Sequence, residues 1–525
     1  MTAWWQRGIV YQVYPRSFMD SNGDGIGDLP GITAKLDYLA WLGVDAVWIS
    51  PIFQSPMLDF GYDVADYRAI HPLFGALSDF DALLERAHAL GLKVILDLVP
   101  NHTSHQHEWF RESRSSRGNP KRDWYIWRDA KPDGSPPNNW LAYFGGPSWT
   151  WDAATGQYYL HNFLPEQPDL NYRNPAVVEA MQETIRFWLD RGIDGFRVDV
   201  IDRMMKDPDL RDNPVDPDWK PGDNAAFRLK RVYSECGEGI HALIKIFRRT
   251  FDAYDDRVLI GEINYSTSPE FITGFYGSGS QPYGDEVHLP FNLALCMLPW
   301  DAGALRAFID VYDAAIPPYG WGNYVLGNHD QPRIASKIGA AQARVAAMLL
   351  LTLRGTPTIY YGDELGMQNV PIAPEQYQDP QGINLGFSRD PQRTPMQWDA
   401  SPNAGFTSGT PWLPLAADAA RISVAVQGAD PRSMLALHHR LIALRRADER
   451  LTLGAYASFD APAGCFAYMR GDAYAVVLNL TGAAQTVTLP RSGEIVVSTH
   501  LDREGVTGAA LELRPDEGVL VRLDG

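Results

Sequence analysis

Three acidic residues close short apolar runs that lie far apart in the chain: Asp199 in GFRVDV, Glu262 in VLIGEI and Asp330 in NYVLGNHD. Carboxylates gathered from separate segments suit glycoside hydrolysis, where one serves as nucleophile or base and another protonates the leaving oxygen. The stretch GIDGFRVDV, residues 192–200, sharpens the point. Side chains alternate across a strand, so Phe196, Val198 and Val200 share one face and Arg197 and Asp199 the other. A buried strand tolerates charges when they are paired. The pair reads either as a structural ion bridge or as a catalytic carboxylate beside its positioning arginine.

The elements that must position these residues alternate regularly. Strand candidates lie at 8–15, 45–51, 93–100, 195–200, 258–263, 285–291, 323–330 and 357–364. Between them run amphipathic helical segments such as ITAKLDYLAWLG, SDFDALLERAHALG, VVEAMQETIRFWLDRG and AAQARVAAMLLLTLRG, several ending at Gly as helix C-termini do. Eight alternating units predict an α/β fold, a closed (β/α)8 TIM barrel with its catalytic groups at the C-terminal ends of strands. Polar residues fall at those ends: Asp97, Asn101, His102, Arg197, Asp199, Glu262, His329 and Asp330. A doubly wound sheet is the alternative, but its Gly-rich phosphate loop is missing from the first βα turn.

The barrel is expected over residues 1–103 and 174–451, interrupted after its third strand by an aromatic- and Pro-rich insert over 104–173. From 452 to 525 short alternating strands (CFAYMR, AYAVVLNL, QTVTLP, EIVVST, GVLVRL) predict a C-terminal antiparallel β-domain. A formal net charge of -18 argues against nucleic acid or an anionic membrane as partner. Cys236, Cys296 and Cys465 lie far apart without metal-type spacing, which fits reduced thiols in the cytoplasm. No apolar run reaches membrane-spanning length, and the first residues carry no secretory pattern. The expected partner is a small oligosaccharide or glucoside, bound by a monomer or weak homo-oligomer without an organic cofactor.

DSNGDGIGD offers side-chain oxygens at Asp20, Asn22, Asp24 and Asp28, a carbonyl at Ile26 and a sharp turn at Gly25. That spacing suits a hard cation such as Ca²⁺ or Mg²⁺, although Gly31 stands where an EF-hand has its bidentate Glu. An Asx-rich turn held without metal is the competing reading. His102, His105 and His107 in NHTSHQH invite a zinc reading, against which stands their clustering in a single loop.

In order along the chain, IVYQVYPRSFMDSNGDGIGDLPGI, GYDVADY, DLVPNHTS, QPDLN, GFRVDV, GEI, NHDQPR and RDPQRTPMQWD resemble the α-amylase family, family 13 of the glycoside hydrolases, in its oligo-1,6-glucosidase and α-glucosidase branch. The resemblance covers most of the chain. It implies Asp199 as nucleophile, Glu262 as general acid and base, and Asp330 as the carboxylate that helps distort the bound sugar. Arg197 is expected to keep Asp199 ionised. The resemblance also assigns His102 and His329 to hydroxyls of the glucose in subsite -1, Tyr62 to a platform against its ring, and Asp63 with Arg389 to the closed end of the pocket. Phe144 and Phe163 resemble aromatics lining subsite +1, and the DSNGDGIGD loop a structural Ca²⁺ site.

A retaining exo-α-glucosidase acting on isomaltose, maltose and sucrose is the activity this implies. Val200, after the nucleophile, resembles the α-1,6-active enzymes. Asp202 departs from the Asn usual in oligo-1,6-glucosidases, which bears on linkage and on subsite +1. Because retention passes through a glucosyl-enzyme, a transglucosidase of sucrose isomerase or trehalose synthase type is the alternative.

Overall fold

The computed structural model describes residues 2–263 and 266–525. Eight parallel strands form its centre: β1 (Val10–Val13), β2 (Ala46–Ile49), β3 (Lys93–Leu98), β4 (Gly195–Val198), β5 (Val258–Glu262), β6 (Leu289–Phe291), β7 (Asn323–Val325) and β8 (Thr356–Tyr360). Their order is β6-β5-β4-β3-β2-β1-β8-β7, and β6 and β7 lie against each other to close the barrel. Every strand expected from the alternation is present. Because β3 to β5 are buried on both faces, they read as near-continuous apolar runs.

Register places chemistry side by side. Asp97 on β3 pairs with Arg197 on β4, and Arg197 with Ile260 on β5. The helices between strands end as their sequences predict at Gly43 and Gly192, both left-handed, after Leu29–Leu42 and Pro175–Arg191. The helix Ala340–Thr352 does not run to Gly355 as expected. It stops at Leu353, which turns extended, and Gly355 packs where a Cβ would meet the Gly322 carbonyl oxygen at 2.7 Å.

Between β3 and the helix Pro175–Arg191 the chain forms a three-stranded antiparallel sheet, with Gln157–Leu160 between Trp127–Arg128 and Trp149–Asp152. Trp140, Trp149 and Leu160 pack beneath it. A second excursion was not anticipated: after β4, residues 204–239 run irregularly with only a 3-10 turn at Ala225–Phe227. It is tied to the insert where Asn138 and Asn139 donate to the Leu210 and Asn213 carbonyls. Beyond the barrel, six antiparallel strands from Tyr456–Ser458 to Gly518–Leu523 form the C-terminal sheet, with a two-stranded ribbon packed beside it. No helix among the described residues is long and apolar enough to cross a membrane. Cys236, Cys296 and Cys465 are free thiols.

Candidate active site

A cavity of about 610 Å³ opens at the C-terminal ends of the strands, lined among others by Tyr62, His102, Phe144, Phe163, Asp199, Glu262, His329, Asp330 and Arg389. Arg197 organises its floor. Buried in β4, it donates from Nη1 to Asp97 Oδ1 at 2.7 Å and to Asp199 Oδ1 at 2.9 Å, while Nη2 lies 2.6 Å from Glu262 Oε2. Its guanidinium also stands 5.0 Å from the Trp48 ring centre. The two charges in the strand are therefore a structural bridge and part of the site at once.

Three carboxylates share this one cation, so Arg197 is one of several influences on Asp199. Burial raises its pKa well above the ordinary carboxylate value, Arg197 opposes this, and Glu262, Asp97 and Asp330 push the same way as burial. Burial likewise lifts Asp97 to about 6, despite Arg197. Arg197 orients Asp199 and favours its charged form against burial and the neighbouring carboxylates. Asp330 behaves oppositely. Burial would raise it, but His329, Arg389, Arg393 and Arg197 hold it below the ordinary range. Arg389 and Arg393 both donate to its Oδ1, at 3.0 and 2.9 Å.

Both histidines at the cavity are neutral, because burial lowers each to about 3. Gln12 Nε2 donates to His329 Nδ1 at 2.8 Å, which leaves the proton on Nε2 facing the Tyr62 hydroxyl at 2.7 Å. Tyr62 in turn donates to Asp97 Oδ2 at 3.1 Å. Asn101 donates to His102 Nδ1, so that ring's Nε2–H points at the Tyr62 carbonyl at 3.0 Å. Phe163 rests 5.0 Å from the His102 ring and 5.7 Å from Phe144, and Phe144 lies under the Arg389 guanidinium at 5.1 Å.

The structure corrects one pairing. Arg389 meets Asp59 at 3.0 Å, not Asp63, and its other partners are Asp330 and Asp379. Asp63 is fully buried below the pocket, accepting from Ser55 Oγ and from the Leu58 and Asp59 N–H groups, so it shapes the loop that presents Asp59. Sequence reasoning missed Asp59, although it lies three residues before Tyr62. It also left Gln12 and Arg393 without roles inside quoted motifs, and had no signal for Asp379.

The three histidines of NHTSHQH diverge. His102 faces the cavity, whereas His107 caps the helix Glu108–Ser115 by accepting from Trp109 N–H. In the DSNGDGIGD loop Asp20 accepts from the N–H groups of Asn22, Gly23 and Gly25 and from Thr407 Oγ1. Asp28 accepts from Ser21 and Gly31, and Asp24 from Ile26 N–H and Asn22 Nδ2. Gly25 has φ +92 and a Cβ there would meet the Thr410 carbonyl oxygen at 1.9 Å, so no other residue fits. Among the described residues, no group of three His, Cys, Asp or Glu side chains is arranged to hold a metal. The donor set is nevertheless all oxygen, and Asp24 keeps lone pairs to spare.

Comparison with known proteins gives the family. The profile of the alpha amylase catalytic domain matches residues 12–454. A probable alpha-glucosidase of Rhizobium meliloti (strain 1021) is 43% identical, over 95% of this chain and 95% of that protein. An oligo-1,6-glucosidase of Parageobacillus thermoglucosidasius is 38% identical, over 99% of each. Among solved structures, an alpha-glucosyl transfer enzyme superposes with a TM-score of 0.94 at 41% identity, over the whole of both chains. The trehalulose synthase of Pseudomonas mesoacidophila MX-45 does so with 0.90 at 37%, also over the whole of both chains. With a catalytic-domain match over most of its length and a barrel mouth built on clustered carboxylates, the chain belongs to the alpha-amylase family, family 13 of the glycoside hydrolases.

Proposed function

We propose that the protein is an exo-acting, retaining α-glucosidase that releases glucose from the non-reducing end of short α-glucosides such as isomaltose, maltose and sucrose. The observation that carries this reading is that one guanidinium holds two carboxylates, Asp199 at 2.9 Å and Glu262 at 2.6 Å. That arrangement suits the separation of about 5 Å in retaining enzymes better than the roughly 6.5–9.5 Å an inverting pair needs to admit water. Asp199 attacks the anomeric carbon as the glycosidic bond breaks, and Glu262, acting as general acid, passes a proton to the leaving oxygen. Glu262 then takes a proton from water, which displaces Asp199 and frees glucose with its α configuration.

The remaining residues hold the sugar. Asp330, kept anionic by two arginines, supports positive charge on the ring in the transition state. The Nε2–H groups of the neutral His102 and His329 imidazoles, both turned to Tyr62, are shared with sugar hydroxyls, and the Tyr62 ring offers a platform. Arg389 with Asp59 and Asp330 closes the far end, which supports action on chain ends.

The decisive experiment is a product time course on isomaltose, maltose and sucrose at low and high concentration. Glucose with retained configuration is expected. Accumulation of a rearranged disaccharide would move the assignment to a transglucosidase, the activity named for two of the superposed structures.

We also propose a structural Ca²⁺ or Mg²⁺ on Asp20, Asn22, Asp24, Asp28 and the Ile26 carbonyl, supported by their all-oxygen chemistry in one nine-residue loop. Calcium should raise the melting temperature after chelator treatment; a melting curve indifferent to both removes the proposal. A reducing compartment, the cytoplasm, fits the three free thiols, and we take the protein as a monomer or weak homo-oligomer.

A further inference from the structure

Arg203 is a buried cation in the cavity wall that the chemistry above does not use. It sits in the 3-10 turn Ile201–Arg203, directly after Val200, and is 5% exposed. Its Cζ lies 4.1 Å from the Tyr143 ring centre and 5.7 Å from that of Phe163. Stacking leaves the guanidinium edge, where the N–H groups are, free to meet a ligand. The Nε is buried without a hydrogen-bond partner, and Asp202 Oδ1 stands 4.0 Å from it, beyond hydrogen-bonding range. Such a donor costs stability unless something pairs with it.

With Nε closed off from a ligand, the outer N–H groups are the donors Arg203 offers to the cavity it lines, and its position says what they meet. Val200 N–H donates to Glu262 Oε2 at 3.0 Å, so Arg203 belongs to the wall beside the proton donor, where the leaving group departs. Arg389 and Asp59 close the opposite, glucose-binding end. The wall carries no net positive charge. Arg231 also stacks on Tyr143, at 3.8 Å, and Glu235 and Asp202 balance the two guanidiniums. A planar pair of donors in a neutral wall suits the adjacent hydroxyls of an uncharged sugar better than an anion.

We propose that Arg203 is a specificity-determining binding residue that hydrogen-bonds vicinal hydroxyls of the leaving sugar in subsite +1. This rests on the α-glucosidase reading. Arg203→Met and Arg203→Lys should be compared with the wild-type protein on maltose, isomaltose and α-glucosyl fluoride, which places no sugar in subsite +1. For Arg203→Met the KM for the disaccharides should rise at least about tenfold, as loss of charged hydrogen bonds implies. Turnover of the fluoride should stay within about twofold, and the alkaline limb of the disaccharide pH profile should not move. Arg203→Lys, which keeps a donor, should lie between. Equal losses on fluoride and disaccharides would overturn the proposal, since they mark a structural role. A shifted pH limb would do so too, because Arg203 would then act through Glu262, as would unchanged disaccharide kinetics. Failure of the wild-type protein to hydrolyse any of the three would instead strike the α-glucosidase reading itself.

Discussion

The main-chain N–H of Val200 donates to Glu262 Oε2 at 3.0 Å, so the residue that follows the proposed nucleophile helps hold the proposed proton donor. Val200 reaches that position with φ 37 and ψ 49, a left-handed conformation that a β-branched residue rarely adopts. Strain of this kind costs on the order of 1–3 kcal/mol and persists where surrounding structure enforces it. Here the enforcement is a short turn between β4 and Arg203, with Val200 itself buried.

Substituting Val200→Thr keeps both the N–H and the β-branch and changes one methyl into a hydroxyl at the cavity wall. The ratio of kcat/KM for maltose over isomaltose should rise several-fold, with a shift on the order of 1 kcal/mol in relative transition-state energy. Steady-state kinetics on the two disaccharides measure it. An unchanged ratio would detach linkage preference from this position.

The two carboxylates on Arg197 should separate by the stereochemistry of rescue. Asp199→Ala should lose at least about 10⁴-fold in turnover, and Glu262→Gln about 10²- to 10⁴-fold on substrates with poor leaving groups. With azide and an activated α-glucoside, Asp199→Ala should yield the β-glucosyl azide, since the anion attacks from the vacated face. A Glu262→Ala variant should yield the α-glucosyl azide, because its glucosyl-enzyme still forms. Nuclear magnetic resonance of the products distinguishes them, and exchanged outcomes would reverse the two roles.

Asp59 and Asp63 should fail in different ways. Asp59→Ala removes the partner that Arg389 meets at 3.0 Å at the closed end, leaving Asp330 and Asp379 on that arginine. The KM for short α-glucosides should rise about tenfold or more, with a modest change in melting temperature. Asp63→Ala strands three donors, Ser55 Oγ and the Leu58 and Asp59 N–H groups, each costing about 1–3 kcal/mol when buried unpaired. Its melting temperature should fall by several degrees. A kinetic defect in Asp63→Ala without loss of stability would contradict this division.

These pairings mark how far the sequence could be read. Alternation and helix stops located all eight barrel strands, because a parallel barrel imposes both on the chain locally. Asp199, Arg197 and Glu262 were legible because each ends or fills a strand, and strand register carries them to one place. Asp59 was not, since it lies in a loop where neither period applies and its neighbour Asp63 has the same side chain. Which aspartate faces Arg389 is decided by Ser55 and two N–H groups that hold Asp63 away, a tertiary fact. The excursion over residues 204–239 escaped for a related reason: it follows the barrel pattern on both sides but has almost no regular structure of its own. For Asp199 the sequence displays one neighbouring cation, which lowers its pKa, while only the fold shows the burial and the three further carboxylates that push it up.

Buried neutral histidines should govern the acid limb of stability. His329 and His102 are each lowered to about 3 by burial, against about 6.5 in the unfolded chain. Below pH 6.5 the unfolded state takes up protons that the folded state refuses, so stability falls as pH falls towards 3. Asp97, raised by burial to about 6, acts with the opposite sign: the unfolded chain loses its proton near 4, and stability falls as pH rises from there to about 6. For one such histidine the loss between pH 7 and pH 5 is about 2 kcal/mol. His329→Gln, which keeps a donor towards Tyr62 and an acceptor for Gln12, should therefore lose less stability between pH 7 and pH 5 than the wild-type protein. Urea unfolding at the two pH values measures the difference. Equal losses in the two proteins would mean that His329 is protonated in the folded state, and that its hydrogen bond to a bound hydroxyl comes from an imidazolium.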